Sequence, residues 1–288
     1  AFDDEAGVLQ RRLLQEQHRL VPDPPIGLDT GRVHQLTVEE LVTDAFQLED
    51  PPRFVLILGD TEWVLAEGAT GPYFDLFVLL ANPGDADADV SLRYLLPGGR
   101  TLERRYSVGA QSRRTVWVDF EAPELADTAV STFVSSTNGV PVVAERVMWW
   151  PGPAPADWYE AHVSPGSRAS ARRWAAPSTR PFAEGADSFL LLANTTDEAG
   201  SAVVSLRQQH QEDQQRTYEL PPRSRTNVWV NLDFAIARTT PHLVLVESDV
   251  PSVVERAEYW NAEGMRWAGG TSTRLTPVVE HFSDEAAF

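Results

Sequence analysis

The sequence predicts a mainly β protein: two tandem seven-stranded immunoglobulin-like antiparallel sandwiches, preceded by a short helical N-terminal extension. Three observations lead there. The chain repeats itself at a spacing of about 110 residues. Each repeat breaks into short strand-like runs separated by turn residues. Helical periodicity is confined to the first 60 residues.

The leader comes first. Asp3 and Asp4 precede "AGVLQRRLLQEQHRLV", with Leu9, Leu13 and Leu20 along one side, and Pro22, Pro24 and Pro25 stop the run. In "LTVEELVTDAFQ", Thr37 and Glu40 form a capping box. Val38, Leu41, Val42, Ala45 and Phe46 give the stripe of an amphipathic helix. The spacing therefore predicts two short helices joined by a proline-rich link. Helices this short are marginal alone and need a surface to cover their apolar side.

The repeats follow. "DLFVLLAN" (75–82) matches "DSFLLLAN" (187–194), "SRRTVWV" (112–118) matches "SRTNVWV" (224–230), and "VPVVAERVMWW" (140–150) matches "VPSVVERAEYW" (250–260). A period above 100 residues means two domains rather than a solenoid of small units. In repeat 1 the strand-like runs are 62–67, 74–82, 90–96, 101–108, 113–119, 131–136 and 142–150. Asn82-Pro83-Gly84, Pro97-Gly98-Gly99 and Asn138-Gly139 punctuate them. Seven short strands in about 100 residues is the immunoglobulin-like pattern. The division expected is an extension over 1–60, sandwiches over 61–168 and 169–277, and a tail over 278–288.

Composition narrows the function. The net charge is −18, which argues against nucleic acid or an anionic lipid surface as partner. All 24 basic residues are Arg, and there is no Cys. That excludes disulfides, thiolate metal sites and Cys nucleophiles. No apolar run is long enough to span a membrane. The chain opens on "AFDDEAG" without Met or signal peptide and reads as mature or trimmed.

"WVLAEGATGPYFDLFVLLANPG", "SRRTVWV" and "VPVVAERVMWWPG" followed by "WYEAH" resemble a family of secreted bacterial tandem β-sandwich repeats, mostly catalogued as a domain of unknown function in large extracellular proteins. The resemblance covers about 62–277. It implies an extracytoplasmic (periplasmic, cell-surface or secreted), non-enzymatic module and carries no catalytic residues to transfer. Repeat 2 departs from it, with "AAPSTRPF" for "LAEGATGPYF" and no "WYEAH".

Each repeat carries a Glu-Arg pair in an otherwise apolar strand: Glu145-Arg146 and Glu255-Arg256. Alternation puts Glu145 with Val143, Val147 and Trp149, and Glu255 with Val253, Ala257 and Tyr259. A buried carboxylate needs hydrogen bonds or a counter-charge. The expectation is a structural latch in each repeat, with both Glu buried in equivalent settings and Arg113 or Arg225 at hand. As a catalytic acid, Glu145 would need a second group such as Glu67.

Other candidates are weighed similarly. Asp85, Asp87 and Asp89 have calcium-loop spacing, but Val90 and Leu96 stand where an EF-hand needs Gly and Glu. A solvated acidic turn is the reading. Trp117 and Trp229 share the polar face of their strands, as contact anchors or sugar platforms. Trp149, Trp150, Trp158 and Tyr159, with Glu160 and His162, read as packing between the two domains. The tail offers Phe282 and Phe288. No metal, cofactor or catalytic site emerges.

The leading expectation is a structural or accessory subunit of an extracytoplasmic assembly. Other protein subunits would be held through Leu9, Leu13, Val42, Phe46, Phe282 or Phe288, and through Trp117 or Trp229. The alternatives are a carbohydrate-binding module using surface tryptophans and a glycoside hydrolase using Glu67 and Glu145.

Overall fold

The computed structural model describes residues 59–150, 160–178, 186–208, 212–234, 241–262 and 264–278, all within one compact unit, Ile57–Phe288. The described residues are mainly strand, and every strand pairing is antiparallel. The two helices expected in the leader and the C-terminal tail lie outside them.

Repeat 1 contains β1 (Glu62–Leu65), β2 (Asp75–Asn82), β3 (Ala88–Leu95), β4 (Thr101–Val108), β5 (Ser112–Trp117), β6 (Ser131–Ser136), β7 (Val143–Trp150) and β8 (Glu160–Pro165). They form two sheets, ordered β1-β6-β3-β4 and β5-β2-β7-β8. Alternation along β2 sends Leu76, Val78 and Leu80 inward to meet Val90, Leu92 and Tyr94 of β3 in one core.

Repeat 2 contains β9 (Ala171–Ser178), β10 (Ala186–Asn194), β11 (Gly200–Arg207), β12 (Gln214–Leu220), β13 (Ser224–Trp229), a four-residue helical turn α1 (Val230–Asp233), β14 (His242–Ala262), β15 (Met265–Arg274) and β16 (Thr276–Pro277). Strand β14 does the work of both β6 and β7. Its first part pairs with β9 and β11, and its second part with β10 and β15. Thr137-Asn138-Gly139 of repeat 1 faces a lone Asp249 in repeat 2, so the turn is missing there and the strand runs through. With this substitution the two halves have the same neighbours at every position.

Three expectations change. Each half has eight main strands, not seven, because Glu160–Pro165 and Met265–Arg274 continue the sheets beyond β7 and β14. The edges also differ from the immunoglobulin order: β1 lies beside β6, and β7 beside β2. Finally, "WYEAH", read from the sequence as packing between the domains, also supplies strand, since Glu160, Ala161 and His162 begin β8.

Twin polar clamps hold each half. Asn82 Nδ2 donates to the carbonyls of Ala86, Val108 and Gly109 at 2.8, 2.9 and 3.1 Å. Asn194 Nδ2 donates likewise to Glu198, Leu220 and Pro221 at 2.8, 3.1 and 3.0 Å. Both are buried and pin a hairpin to the sheet, which explains the Asn closing each "LLAN". Trp63 Nε1 donates to Val142 O at 2.7 Å and Trp174 Nε1 to Ser252 O at 3.1 Å, joining the two sheets at matching places.

Candidate functional site

The Glu-Arg stretches meet between the repeats, and they meet unequally. On β14 the odd residues Val253, Glu255, Ala257 and Tyr259 are buried, although they lie on the side away from the repeat 2 core. On β7 it is the even residues, Arg146 and Trp150, that are buried, facing the same way as Ala144 and Met148. The outer face of repeat 2 therefore packs into the open side of repeat 1 formed by β7 and β8. Glu255 of one repeat meets Arg146 of the other, with Arg146 Nη1 2.7 Å from Glu255 Oε2.

This corrects the expectation of two equivalent latches. Glu255 is 2% and Arg146 0% exposed, whereas Glu145 is half-buried and no hydrogen bond or ion pair reaches its carboxylate among the described residues. Arg256 keeps 16% side-chain exposure and lies 3.6 Å from Glu258. Periodicity assigned the face correctly, but which copy is covered depends on what packs there.

The cluster is dense. Glu255 also accepts from the backbone N–H groups of Ala66 and Glu67, each at 3.1 Å. Arg146 donates to Glu67 O at 2.9 Å and to Ser272 Oγ at 2.9 Å, and its Nη2 lies 3.1 Å from Glu67 Oε2. Tyr259 donates its hydroxyl to Glu67 Oε1 at 2.8 Å, and His162 Nε2 sits 3.3 Å from the same hydroxyl. Nearby, Arg225 of repeat 2 donates to two repeat 1 carbonyls, Gly68 and Val130. Two guanidinium and two carboxylate groups thus balance in a buried setting, which an unpaired charge could not tolerate.

Protonation follows from the packing. Burial pushes the Glu67 carboxyl up, but Arg146 and then His162 outweigh it and hold the group below its ordinary value. Burial works against charge on Arg146, yet Glu255 and Glu67 keep its guanidinium above the ordinary value. Burial lowers His162, with Glu67 opposing, so the imidazole is neutral at pH 7. Burial, then the Glu67 carboxylate, raises the Tyr259 phenol well above its usual range, which keeps it a donor. Burial lowers Arg225 to about 10, still cationic at neutral pH.

An aromatic seam borders the cluster. Trp150 is fully buried and donates to Trp267 O at 2.7 Å, and Trp267 stacks on Tyr259 at 5.0 Å and on Phe74 at 5.8 Å. Trp267 holds a left-handed φ of 53°. Trp267 Nε1 donates to Asp187 at 2.7 Å, which fixes the ring across the seam. A Cβ at Gly270 would come within 2.7 Å of Tyr259 and 3.1 Å of Trp150, so the close approach of β15 requires glycine there.

The other candidates fall in three groups. Trp150 and His162 lie at the junction, as expected of the aromatic stretch, while Trp149 is half-buried on the outer face of repeat 1 and Trp158 and Tyr159 lie outside the described residues. Trp117 and Trp229 are half-buried and pack on Phe77 and Phe189 at 5.0 and 5.5 Å. Phe120 and Leu232, three residues beyond these tryptophans, are 70% and 66% exposed. Asp85 and Asp87 accept from Gln111 Nε2 and Ala110 N, and no metal-ligand group occurs among the described residues. Leu9, Leu13, Val42, Phe46, Phe282 and Phe288 lie outside the described residues.

Sequence reasoning missed the role of Glu67 beside Arg146, and that of Tyr73, Phe74 and Trp267. It also missed Asp119, whose carboxylate accepts from Leu76 N at 2.9 Å and Gly71 N at 3.3 Å, and its counterpart Asn231, which accepts from Ser188 N at 2.6 Å. The recurrence of Asp119 and Asn231 after "VWV" was the available signal.

Fold and site together define a mainly antiparallel β protein whose charged residues join two similar halves. The chain belongs to a family of unknown function (DUF5719), whose profile matches residues 75–231, from β2 across the junction into α1. No curated protein matches significantly. Among solved structures, the "Crystal Structure of Thermotoga maritima 1070" aligns with a TM-score of 0.34 and 14% identity, covering 38% of this chain and 96% of that one. The "Anabaena sensory rhodopsin transducer" aligns with a TM-score of 0.27 and 28% identity, covering 31% and 96%. At these scores neither likeness bears on function.

Proposed function

We propose that the chain is a non-enzymatic structural or accessory subunit of an extracytoplasmic bacterial assembly. It is built as a tandem duplication of an immunoglobulin-like sandwich with exchanged edge strands. One observation supports this most. The groups that could have formed an active site, Glu67, His162, Tyr259, Arg146 and Glu255, are all buried between the repeats and engaged with one another. They act as a latch that fixes the two halves as one rigid body, and a rigid body is what a scaffold or spacer requires. The extracytoplasmic location and protein partners rest on the resemblance read from the sequence. A hydrolase using Glu67 and Glu145 finds little support, because Glu67 is held by Arg146 and Tyr259 while Glu145 lies on the opposite face of β7. Sugar-platform tryptophans gain little either, since Trp117 and Trp229 pack on phenylalanines.

The rigidity can be measured. The chain has no Cys, so Asp85→Cys with Thr217→Cys places one spin label on each repeat at exposed positions. A single narrow distance distribution is expected, broadening when Arg146→Ala is added. A broad distribution in the otherwise unaltered protein would mean independently moving domains and would sink the reading.

A further inference from the structure

The latch between the repeats holds one titratable group that its charge balance does not include. His162, on β8, is 8% exposed and sits inside the cluster. Its Nε2 lies 3.3 Å from the Tyr259 hydroxyl and 3.7 Å from Glu67 Oε2. That hydroxyl gives its hydrogen to Glu67 Oε1, so its oxygen is left to accept and the imidazole proton belongs on Nε2. The other ring nitrogen, Nδ1, is buried with no hydrogen-bond partner among the described residues. Protonation there would create a buried donor without an acceptor, which is costly.

The surroundings offer no spare negative charge. Facing the ring are Glu67 from the segment after β1, Arg146 from β7, and Glu255 and Tyr259 from β14. Arg225 of β13 lies in the field of Glu67. From β15 comes the neutral Ser272, and Arg274, further along, is engaged on Ser167 Oγ at 3.3 Å. On β8 itself Glu160 shares the parity of His162, and its carboxylate accepts from Ala161 N at 3.0 Å. The two buried carboxylates are already matched by two guanidinium groups, so an imidazolium would be an unmatched buried cation. Burial lowers the His162 value. Glu67 pulls it back, Arg146 lowers it further, and Glu255 does not make up the difference.

We propose that His162 makes the junction acid-sensitive: on taking up a proton it loosens the contact between the halves while each half stays folded. The inference rests on reading the junction as the latch of one rigid body. With the repeats apart the ring meets water and returns to its ordinary value of about 6.5. The closed form holds a lower value, so the open form binds the proton more readily. The closed form is therefore fully favoured above about pH 6.5. Each unit of pH below that shifts the balance about tenfold toward the open form, until the lowered value is reached. Glu67, lowered from 4.5, adds to the loss only in more acid solution. Asp119 titrates with the opposite sign.

Hydrogen exchange, read residue by residue between pH 7.5 and 5, tests this. The Ala66 and Glu67 amides donate to Glu255 across the junction, so their protection reports its closure. Corrected for the intrinsic pH dependence of exchange, that protection should fall roughly tenfold or more over this range. Amides of the two cores, such as Leu92 and Val204, should keep theirs. His162→Gln, which keeps a donor for Tyr259 and cannot take a charge, should flatten the profile. Protection that stays constant or rises in the unaltered chain overturns the proposal. So does an equal fall in the variant, or a joint fall of junction and core amides, which would be acid unfolding of the whole chain. If the variant does not fold, nitrogen NMR of the imidazoles in the unaltered chain decides. Charging of His162 in step with the loss of protection supports the proposal, and charging without that loss overturns it. The spin-label distance at pH 7.5 tests the rigid-body reading separately. A broad distribution there removes the latch, whereas a narrow one with constant protection removes only the acid response.

Discussion

Two outer sheet faces of this molecule carry nearly the same residues and meet different fates. Phe, Leu and Ala alternate on β2 and again on β10, and Val and Glu on β7 and again on β14. Yet Leu191, Ala193, Val253 and Glu255 are 2%, 0%, 0% and 2% exposed, while Leu79, Ala81, Val143 and Glu145 are half-buried. The difference lies in what packs on each face. Repeat 1 lies against the β10-β14 face and supplies Arg146 and two backbone N–H groups to the Glu255 carboxylate. A glutamate in an apolar strand is therefore a structural charge in one copy and a surface charge in the other, with no change in its own sequence neighbourhood.

The comparison breaks most visibly at Arg146. Arg146→Ala leaves the Glu67 and Glu255 carboxylates buried without their shared counter-charge, and should cost about 3–5 kcal/mol of unfolding free energy in a denaturant titration. Little loss would mean that water already reaches the cluster. Next in size is the contrast between the glutamates. Glu255→Ala takes one of the two buried carboxylates from Arg146, orphans two N–H groups and should cost about 3 kcal/mol, whereas Glu145→Ala should stay within about 0.5 kcal/mol. Equal losses would restore the equivalence that the structure denies.

A third pair sharpens the comparison by asking where the repeats do agree. Asn82→Ala and Asn194→Ala each strand three carbonyls, and the two losses should match at about 1–3 kcal/mol. A marked inequality would show that one hairpin is held by other means.

The smallest effect is a pH dependence at Asp119. Burial raises its carboxyl to about 6, against the N–H groups of Leu76 and Gly71. A folded-state value above the unfolded one favours the fold at low pH, and that stability is lost as pH rises from about 3.8 to about 6. Asp119→Asn, copying Asn231 of repeat 2, should flatten this window of the stability–pH curve. A curve of unchanged shape would put the titration elsewhere.

Much of the architecture was legible in the sequence. The strand-like runs placed β1 to β7 close to their observed bounds. Turn residues such as Asn138-Gly139 bounded β6 and β7, and alternation assigned Val143, Glu145, Val147 and Trp149 to one face. These features follow from local rules: the two-residue period of a strand and the backbone conformations that Asn-Gly favours. The eighth strand was harder to see because "EAHVSP" has little apolar alternation, and its pairing comes from the neighbouring strand. Likewise, the loss of three turn residues to one Asp249 fuses β14 only because β9, β10, β11 and β15 are there to pair along its length.

The site divides the same way. By itself the sequence determined that a Glu-Arg pair recurs on an otherwise apolar strand, and that such a carboxylate needs partners if covered. Only the tertiary structure decided that Glu255 pairs with Arg146 across the repeats, that Glu67, His162, Tyr259 and Ser272 complete the cluster, and that Glu145 stays partly in water. The physical reason is that burial belongs to a contact between distant surfaces. Two copies of one motif look alike locally, but a head-to-tail contact covers opposite sides of them, and the free energy of a charge follows the dielectric and partners that this contact creates.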